Sequence, residues 1–230
     1  MLPAALVDVG GTLWPNSWPS HPTDHQERVT RLLEAAPCLS QRQAAELVSA
    51  LARLDQSQGE RQETKTLVEA AVAQVASSPI SVTSVVRAIC LPMRGRLQPF
   101  PGASELLAGL AQRGVRVVVV SNVTWRDGEA YRRDFADAGL ADYVAEYVTS
   151  FDVGWRKPHP AFFEVAGIAA RHPWSQCLMV GDSEPNDIAP AKQRGMHTIR
   201  VAIEEPIPSA TMADHVCSSL YEVTSLLFEG

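Results

Sequence analysis

Short apolar runs, each too brief for a helix, alternate with helix-patterned stretches over much of this chain, and that alternation constrains the fold more than any other feature. Residues 3–8 climb through Leu6 and Val7 to Asp8 and then meet the pair Gly10-Gly11, the pattern of a buried strand that ends in a tight turn. Further strands are predicted over 115–121, 144–149, 177–181 and 197–201, with helices over about 103–112, 128–138, 161–170 and 187–194. Strands that alternate with helices pair in parallel, and the sheet is covered on both faces. The expected fold is therefore α/β, with a doubly wound, Rossmann-like parallel sheet as its core.

The first strand is followed by something different. A connector rich in Trp and Pro (Trp14, Pro15, Trp18, Pro19, Pro22) leads into helical periodicity: Val29, Leu32 and Leu33; Ala44, Leu47, Val48, Leu51 and Leu54; Leu67, Val68, Ala71, Val72 and Val75; Val82, Val85, Val86 and Ile89. Those spacings predict four amphipathic helices. Two open with capping-box patterns, Thr23 with Gln26 and Ser40 with Gln43, in which a hydroxyl and a side-chain amide satisfy backbone groups of the first turn. Pro99 and Pro101 close the region. The expected organisation is a core of residues 1–16 and 98–230, with an all-helical insertion at 17–97. There is no internal repeat or low-complexity tract.

Composition excludes several functional classes. A chain of 230 residues, 46% of them hydrophobic, can bury roughly 70% of its unfolded surface, enough for one domain and a smaller insertion. With 26 acidic against 20 basic residues the net charge is -6, so attraction to nucleic-acid phosphates is not favoured and DNA or RNA is a poor partner. No apolar stretch approaches the roughly 20 residues that span a bilayer, and no basic region precedes the first apolar run. Cys38, Cys90, Cys177 and Cys217 are scattered, form no Cys-x-x-Cys pair and read as reduced thiols, mostly buried. The expectation is a cytoplasmic protein without a membrane partner, monomeric or homodimeric.

In doubly wound sheets ligands bind outside the carboxyl ends of the strands. Asp8, Ser121 with Asn122, and Asp182 each end an apolar run, so this fold would bring them to one crevice. Asp182 and Asp187 lie across the turn from a strand into a helix, and hard carboxylate oxygens there suit Mg²⁺. The plain alternative for Asp187 is a helix-capping carboxylate. The run Asp8-Val9-Gly10-Gly11-Thr12 could be only a glycine turn. It also resembles the phosphate loop of sugar kinases and other actin-like ATPases, but that fold continues into a β-hairpin and is substantially longer. Lys157, in a Pro-flanked loop, would by itself be read as a surface charge.

Taken together, Asp8, Thr12, Ser121, Lys157, Asp182 and Asp187 resemble, in order and approximate spacing, the four motifs of the haloacid dehalogenase-like hydrolase superfamily. The insertion after the first strand is similar to that family's first type of cap domain, and the resemblance spans essentially the whole chain. It implies a phosphatase acting on a small phosphorylated molecule. Asp8 would be the nucleophile and form an aspartyl-phosphate, which water then hydrolyses. Mg²⁺ would be held by Asp8, the Gly10 carbonyl and Asp182, supported by Asp187 directly or through water and Lys157. Ser121 and Lys157 would contact the transferring phosphoryl oxygens, with Thr12 and Asn122 as further phosphate-binding residues.

One position departs from the family pattern. Phosphatases of this kind commonly carry an Asp two residues after the nucleophile, as acid toward the leaving group and base toward water; here that residue is Gly10. General acid–base catalysis is worth about 10²- to 10⁴-fold, so its loss slows substrates with poor leaving groups by roughly 3 to 5 kcal/mol of barrier. Glu184, His21 and His25 are the candidate substitutes, each with an ordinary surface role as its alternative. Two further readings stand beside the phosphatase. Carbon–halogen hydrolysis needs no proton on the departing halide, although the dehalogenase branch has Tyr at this position and lacks the metal-binding Asp that Asp182 supplies. A catalytically weak phosphate-binding or regulatory protein is the other. Trp14, Trp18 and Trp125 are candidates to line the substrate pocket, with plain packing as the alternative.

Overall fold

A computed structural model of the chain describes residues 2–16, 22–55, 64–76, 79–91, 98–123 and 125–229. Six parallel strands, β1 (Ala4–Val7), β2 (Arg116–Ser121), β3 (Glu146–Thr149), β4 (Cys177–Gly181), β5 (His197–Val201) and β6 (His215–Cys217), form one sheet in the order β3-β2-β1-β4-β5-β6. The chain builds outward from β1 through β2 to β3, then crosses back to lay β4 against the other side of β1. The doubly wound α/β expectation is met, and the point where the winding reverses lies beside β1.

The strands are near-continuous apolar runs because both faces of the sheet are buried. Alternate residues point to opposite sides. Ala5, Val7, Val117, Val119, Leu178 and Val180 join one apolar cluster, with Leu106 and Leu107 of α5 (Ala103–Gln112), Tyr131 and Phe135 of α6 (Gly128–Asp137), and Leu220 and Val223 of a C-terminal helix at Leu220–Phe228. Ala4, Leu6, Val118, Val120, Cys177 and Met179 join a second, with Phe162, Phe163 and Ala166 of a helix at Pro160–Ala170.

Between β1 and α5 lie α1 (Pro22–Ala35), α2 (Gln41–Asp55), α3 (Thr64–Val75) and α4 (Val82–Ile89), the four helices the periodicity predicts. They pack on one another, α1 against α2 and α4, α3 against α2 and α4. Arg28 Nε and Arg31 Nη1 of α1 donate to the carbonyls of Ile89 and Cys90, tying the two ends of the insertion together. The Ser40 capping box forms as expected: Ser40 Oγ accepts from Gln43 N at 3.3 Å, and Gln43 Oε1 accepts from Ser40 N at 3.0 Å. The Thr23 side chain lies outside the described residues; α1 already begins at Pro22.

The remaining elements are α7 (Ser150–Val153), α8 (Pro160–Ala170), α9 (Ala189–Gln193) and α10 (Leu220–Phe228). The helix predicted from Asp187 to Arg194 is shorter. Residues Glu184–Ile188 make a wide π-type turn first, closed by Ile188 N to Ser183 O at 3.2 Å, before α9 starts. Sequence reading also stops at β5 and misses β6 and α10. A three-residue edge strand carries too little pattern to register alone. Cys90, Cys177 and Cys217 are buried free thiols and Cys38 is exposed. No helix among the described residues is long and apolar enough to cross a membrane.

Candidate active site

Register places the site. Val7 of β1 lies beside Val119 of β2 and Val180 of β4, so Asp8, one residue further on, and Ser121 and Asp182, two residues further on, emerge together from the carboxyl edge. Asp8 N donates to Val180 O at 2.9 Å, which extends the sheet pairing by one residue and fixes the backbone from which the carboxylate projects. Asp8 and Asp182 thus flank the winding reversal, where open α/β sheets bind ligands.

A single ammonium organises the centre. Lys157, 3% exposed, donates from Nζ to Asp8 Oδ1 at 2.6 Å, to Asp187 Oδ1 at 2.7 Å and to the Val120 carbonyl at 3.1 Å. It is far from the solvated surface charge that a lone Lys in a loop suggests. Burial alone would lower its pKa, but the charges of Asp187 and Asp8 outweigh that and raise it above the ordinary value. Asn122 holds the loop in place: its Oδ1 accepts from Lys157 N at 2.8 Å and its Nδ2 donates to Lys157 O at 3.0 Å.

One carboxylate oxygen from each of Asp8, Asp182 and Asp187 lies within 4.8 Å of the others. Three acidic groups therefore share one ammonium. Burial first, and the Asp8 charge second, push the Asp182 carboxyl up to about 6, against a hydrogen bond from Asn16. Asp187, buried, is pushed up to about 7, again by burial first and then Asp8, with Lys157 opposing. Such unbalanced negative charge, presented as hard oxygens, fits a divalent cation such as Mg²⁺. Asp182 is half-buried; Asp187 is deeper, with Oδ1 on Lys157 and Oδ2 accepting from Ser183 N at 3.2 Å. The π-type turn brings Asp187 back against β4, where a Cβ on Gly181 would lie 2.6 Å from the Asp187 Cβ.

Other predicted residues occupy supporting places. Thr12 is fully buried and donates from Oγ1 to Asp8 Oδ2 at 3.1 Å, and the Asn122 amide is engaged with the Lys157 backbone. Ser121 Oγ pairs at 3.0 Å with the Tyr131 hydroxyl, a buried partner that no sequence pattern singled out. Burial raises the Tyr131 phenol, which keeps it protonated. Glu184 bonds Arg200, Thr211 and the Met212 backbone, which hold its pKa down despite burial and make it a poor proton donor. His25 is exposed on α1, and His21 and Trp18 lie outside the described residues. Trp14 is fully buried with its ring centroid 4.7 Å from that of Phe135, and Trp125 packs edge-on to Phe151 at 5.9 Å, so both belong to the packing.

Residues 2–195 match the haloacid dehalogenase-like hydrolase family. The chain belongs to the haloacid dehalogenase-like hydrolases. Among curated relatives it is similar to the phosphoglycolate phosphatase of Rhodospirillum rubrum, 37% identical over 117 residues that cover 48% of this chain and 45% of the relative. The chain thus spans about half the length of the curated relatives it matches. A haloacid dehalogenase-like phosphatase from Thermococcus onnurineus has the same fold, with TM-score 0.58 and 21% identity over 98% of this chain and 97% of that one. The L-2-haloacid dehalogenase of Xanthobacter autotrophicus superposes equally well, with TM-score 0.57 and 18% identity over 99% and 98% of the two chains. Overall shape therefore does not separate phosphatase from dehalogenase in this family; the side chains at the strand ends must.

In this chain the raised carboxyls make stability depend on pH, and on any cation they hold. Both Asp182 and Asp187 have folded-state values above the unfolded value of about 3.9, so their contribution to stability is complete below about pH 4 and is lost as pH rises through 6 to 7. A cation held by the carboxylates reverses that loss. The Mg²⁺-induced rise in Tm is expected to be larger at about pH 8 than at about pH 5. At roughly 100 times Kd it amounts to about 2.7 kcal/mol, or roughly 5 to 10 °C for a chain of this size. Thermal melts with Mg²⁺ or EDTA at both pH values check it; equal shifts would count against a carboxylate site.

Proposed function

We propose that the chain is a Mg²⁺-dependent phosphatase of small phosphomonoesters, acting through an aspartyl-phosphate on Asp8. The observation that carries this reading is the cluster of Asp8, Asp182 and Asp187 around one buried ammonium, since a dehalogenase site resembling this one would not need the acidic residue at 182. The name of the R. rubrum relative points the same way, toward a small phosphorylated substrate. Residues 17–97 are assigned as the cap and 1–16 with 98–230 as the core, which agrees with α1–α4 packing on one another.

Asp8, Asp182 and the Gly10 carbonyl would hold Mg²⁺, with Asp187 acting through Lys157. When bound, the ion offsets negative charge on the phosphoryl group and orients it. The chain's own residues do the rest. A carboxylate oxygen of Asp8, aimed by Lys157 and Thr12, attacks phosphorus; the bond from phosphorus to the ester oxygen breaks and its electron pair leaves with the alcohol. Lys157 and the Ser121 hydroxyl, held by Tyr131, donate to phosphoryl oxygens in the transition state. Water then attacks the aspartyl-phosphate, releasing inorganic phosphate and the Asp8 carboxylate.

Gly10 supplies no proton in either half, and Glu184 is held in other bonds, so the leaving alcohol is protonated by solvent. Aryl phosphates, whose phenolates leave readily, are expected to exceed alkyl phosphates in kcat/KM by about 10²-fold or more. Activity is expected to vanish in EDTA and return with Mg²⁺. Equal rates for the two ester types would place a proton donor elsewhere. Metal-independent release of halide from a 2-haloacid, without phosphate release, would replace the phosphatase by the dehalogenase reading. Phosphate binding without turnover would support the weakly catalytic one.

A further inference from the structure

The space beside Gly10 is already filled. The turn from Val9 to Trp14, closed by Gly11 N to Trp14 O at 2.7 Å and Leu13 N to Val9 O at 2.8 Å, returns the chain over its own start and sets Asn16 against the glycine pair. An ideal Cβ on Gly10 would lie 2.7 Å from Asn16 Oδ1, and one on Gly11 would lie 2.5 Å from Asn16 Nδ2 and on top of Asp182 Oδ2. The Asn16 carboxamide is thus cradled by two residues without side chains. Gly11, at φ +77°, must be glycine for its backbone as well. Gly10 has no such requirement: it is absent from the glycines at positive φ, so its missing side chain answers to Asn16 and not to the turn.

Asn16 is also anchored at two points. Its Nδ2 donates to Asp182 Oδ2 at 3.1 Å, and its backbone N donates to Glu204 Oε2 at 3.0 Å, just beyond β5. The first bond turns one oxygen of the Asp182 carboxylate toward the amide and sets the orientation of the other. The second holds Asn16 itself, which lies at the solvent edge and would otherwise be free to rotate.

We propose that Asn16 is a positioning residue for the metal site: its carboxamide takes the volume that a side chain at position 10 would fill, and from there it fixes the Asp182 carboxylate for a divalent cation. The proposal rests on the reading of the carboxylate cluster as a Mg²⁺ site. It also explains why Gly10 stands where related phosphatases carry Asp. A Cβ at position 10 would lie 2.7 Å from Asn16 Oδ1, so the amide that bonds Asp182 has to shift to admit it. Hydrogen-bonding partners that orient a metal ligand are typically worth 10- to 100-fold in metal affinity.

The test is a double-mutant cycle read by calorimetric titration of Mg²⁺ into the purified chain, without substrate. Asn16→Ala is expected to weaken Mg²⁺ binding about 10-fold. Gly10→Ala, which adds only the methyl that meets Asn16 Oδ1, is expected to weaken it by a similar factor. In the Asn16→Ala background Gly10→Ala is then expected to cost nothing further, because the atom it displaces is gone. Tm measured across the same four proteins confirms that each is folded. Wild-type Mg²⁺ affinity in either single variant overturns the proposal, as do losses that simply multiply in the double variant. Coupling in Tm with no change in Mg²⁺ affinity also overturns it, leaving Asn16 a packing residue. A wild type that binds no Mg²⁺ fails earlier, at the reading of the site itself, and takes the proposal with it.

Discussion

Asp8→Asn is expected to lower turnover of an aryl phosphate by at least about 10³-fold while shifting Tm by no more than a few degrees. The replacement keeps the shape of the side chain, and the amide oxygen can still accept from Lys157 Nζ or Thr12 Oγ1, but the amide lacks the nucleophilic anion. Stability is preserved for an electrostatic reason. Lys157 retains Asp187 as its counter-ion, and removing the Asp8 charge relieves a repulsion that contributes to the raised carboxyls of both Asp182 and Asp187. Initial rates, with mass spectrometry to exclude deamidation back to Asp, decide the matter. A variant that kept more than a small fraction of activity would rule out the covalent route.

The largest effect on stability is expected at Lys157. Lys157→Ala removes the one ammonium bonded to Asp8 and Asp187 and leaves both carboxylates buried without it. Breaking a buried pair from one side costs about 3 to 5 kcal/mol, which for a chain of this size is a fall in Tm of roughly 6 to 20 °C. The sign of the pH dependence follows from the same charges. Without the ammonium the carboxyls of Asp182 and Asp187 rise further above their unfolded values, so the deficit is greatest at alkaline pH and shrinks as they take up protons toward about pH 5. Mg²⁺ should restore part of it. Turnover falls as well, because the phosphoryl group loses its main cationic contact. Urea denaturation in EDTA at about pH 8 and about pH 5 measures both parts; a deficit below about 1 kcal/mol at the higher pH would show that the ammonium is not what holds the carboxylates.

Local sequence determined a good deal of this protein. Continuous apolar runs at Leu6-Val7, 117–120 and 178–180 mark strands buried on two faces, and their polar endings place Asp8, Ser121 and Asp182 on one edge. Helical periodicity and the Ser40–Gln43 box marked the insertion, because both report interactions within one or two turns. What the sequence could not state were contacts between distant segments. Lys157 meets Asp8 across 149 positions because its loop is held at the end of β2, beside β1, and Asn16 meets Asp182 across 166 because β4 lies on the other side of β1. No window of a few residues carries that adjacency. The same limit explains why the bonds of Thr12 to Asp8 and of Asn122 to Lys157, the packing of Trp14 and Trp125, and the place of Asp187 on a π-type turn and not at the head of a regular helix were not legible. Side-chain type and spacing announce which groups a strand can deliver to its end, whereas burial, the neighbouring strand and the charge already present decide what each group does there.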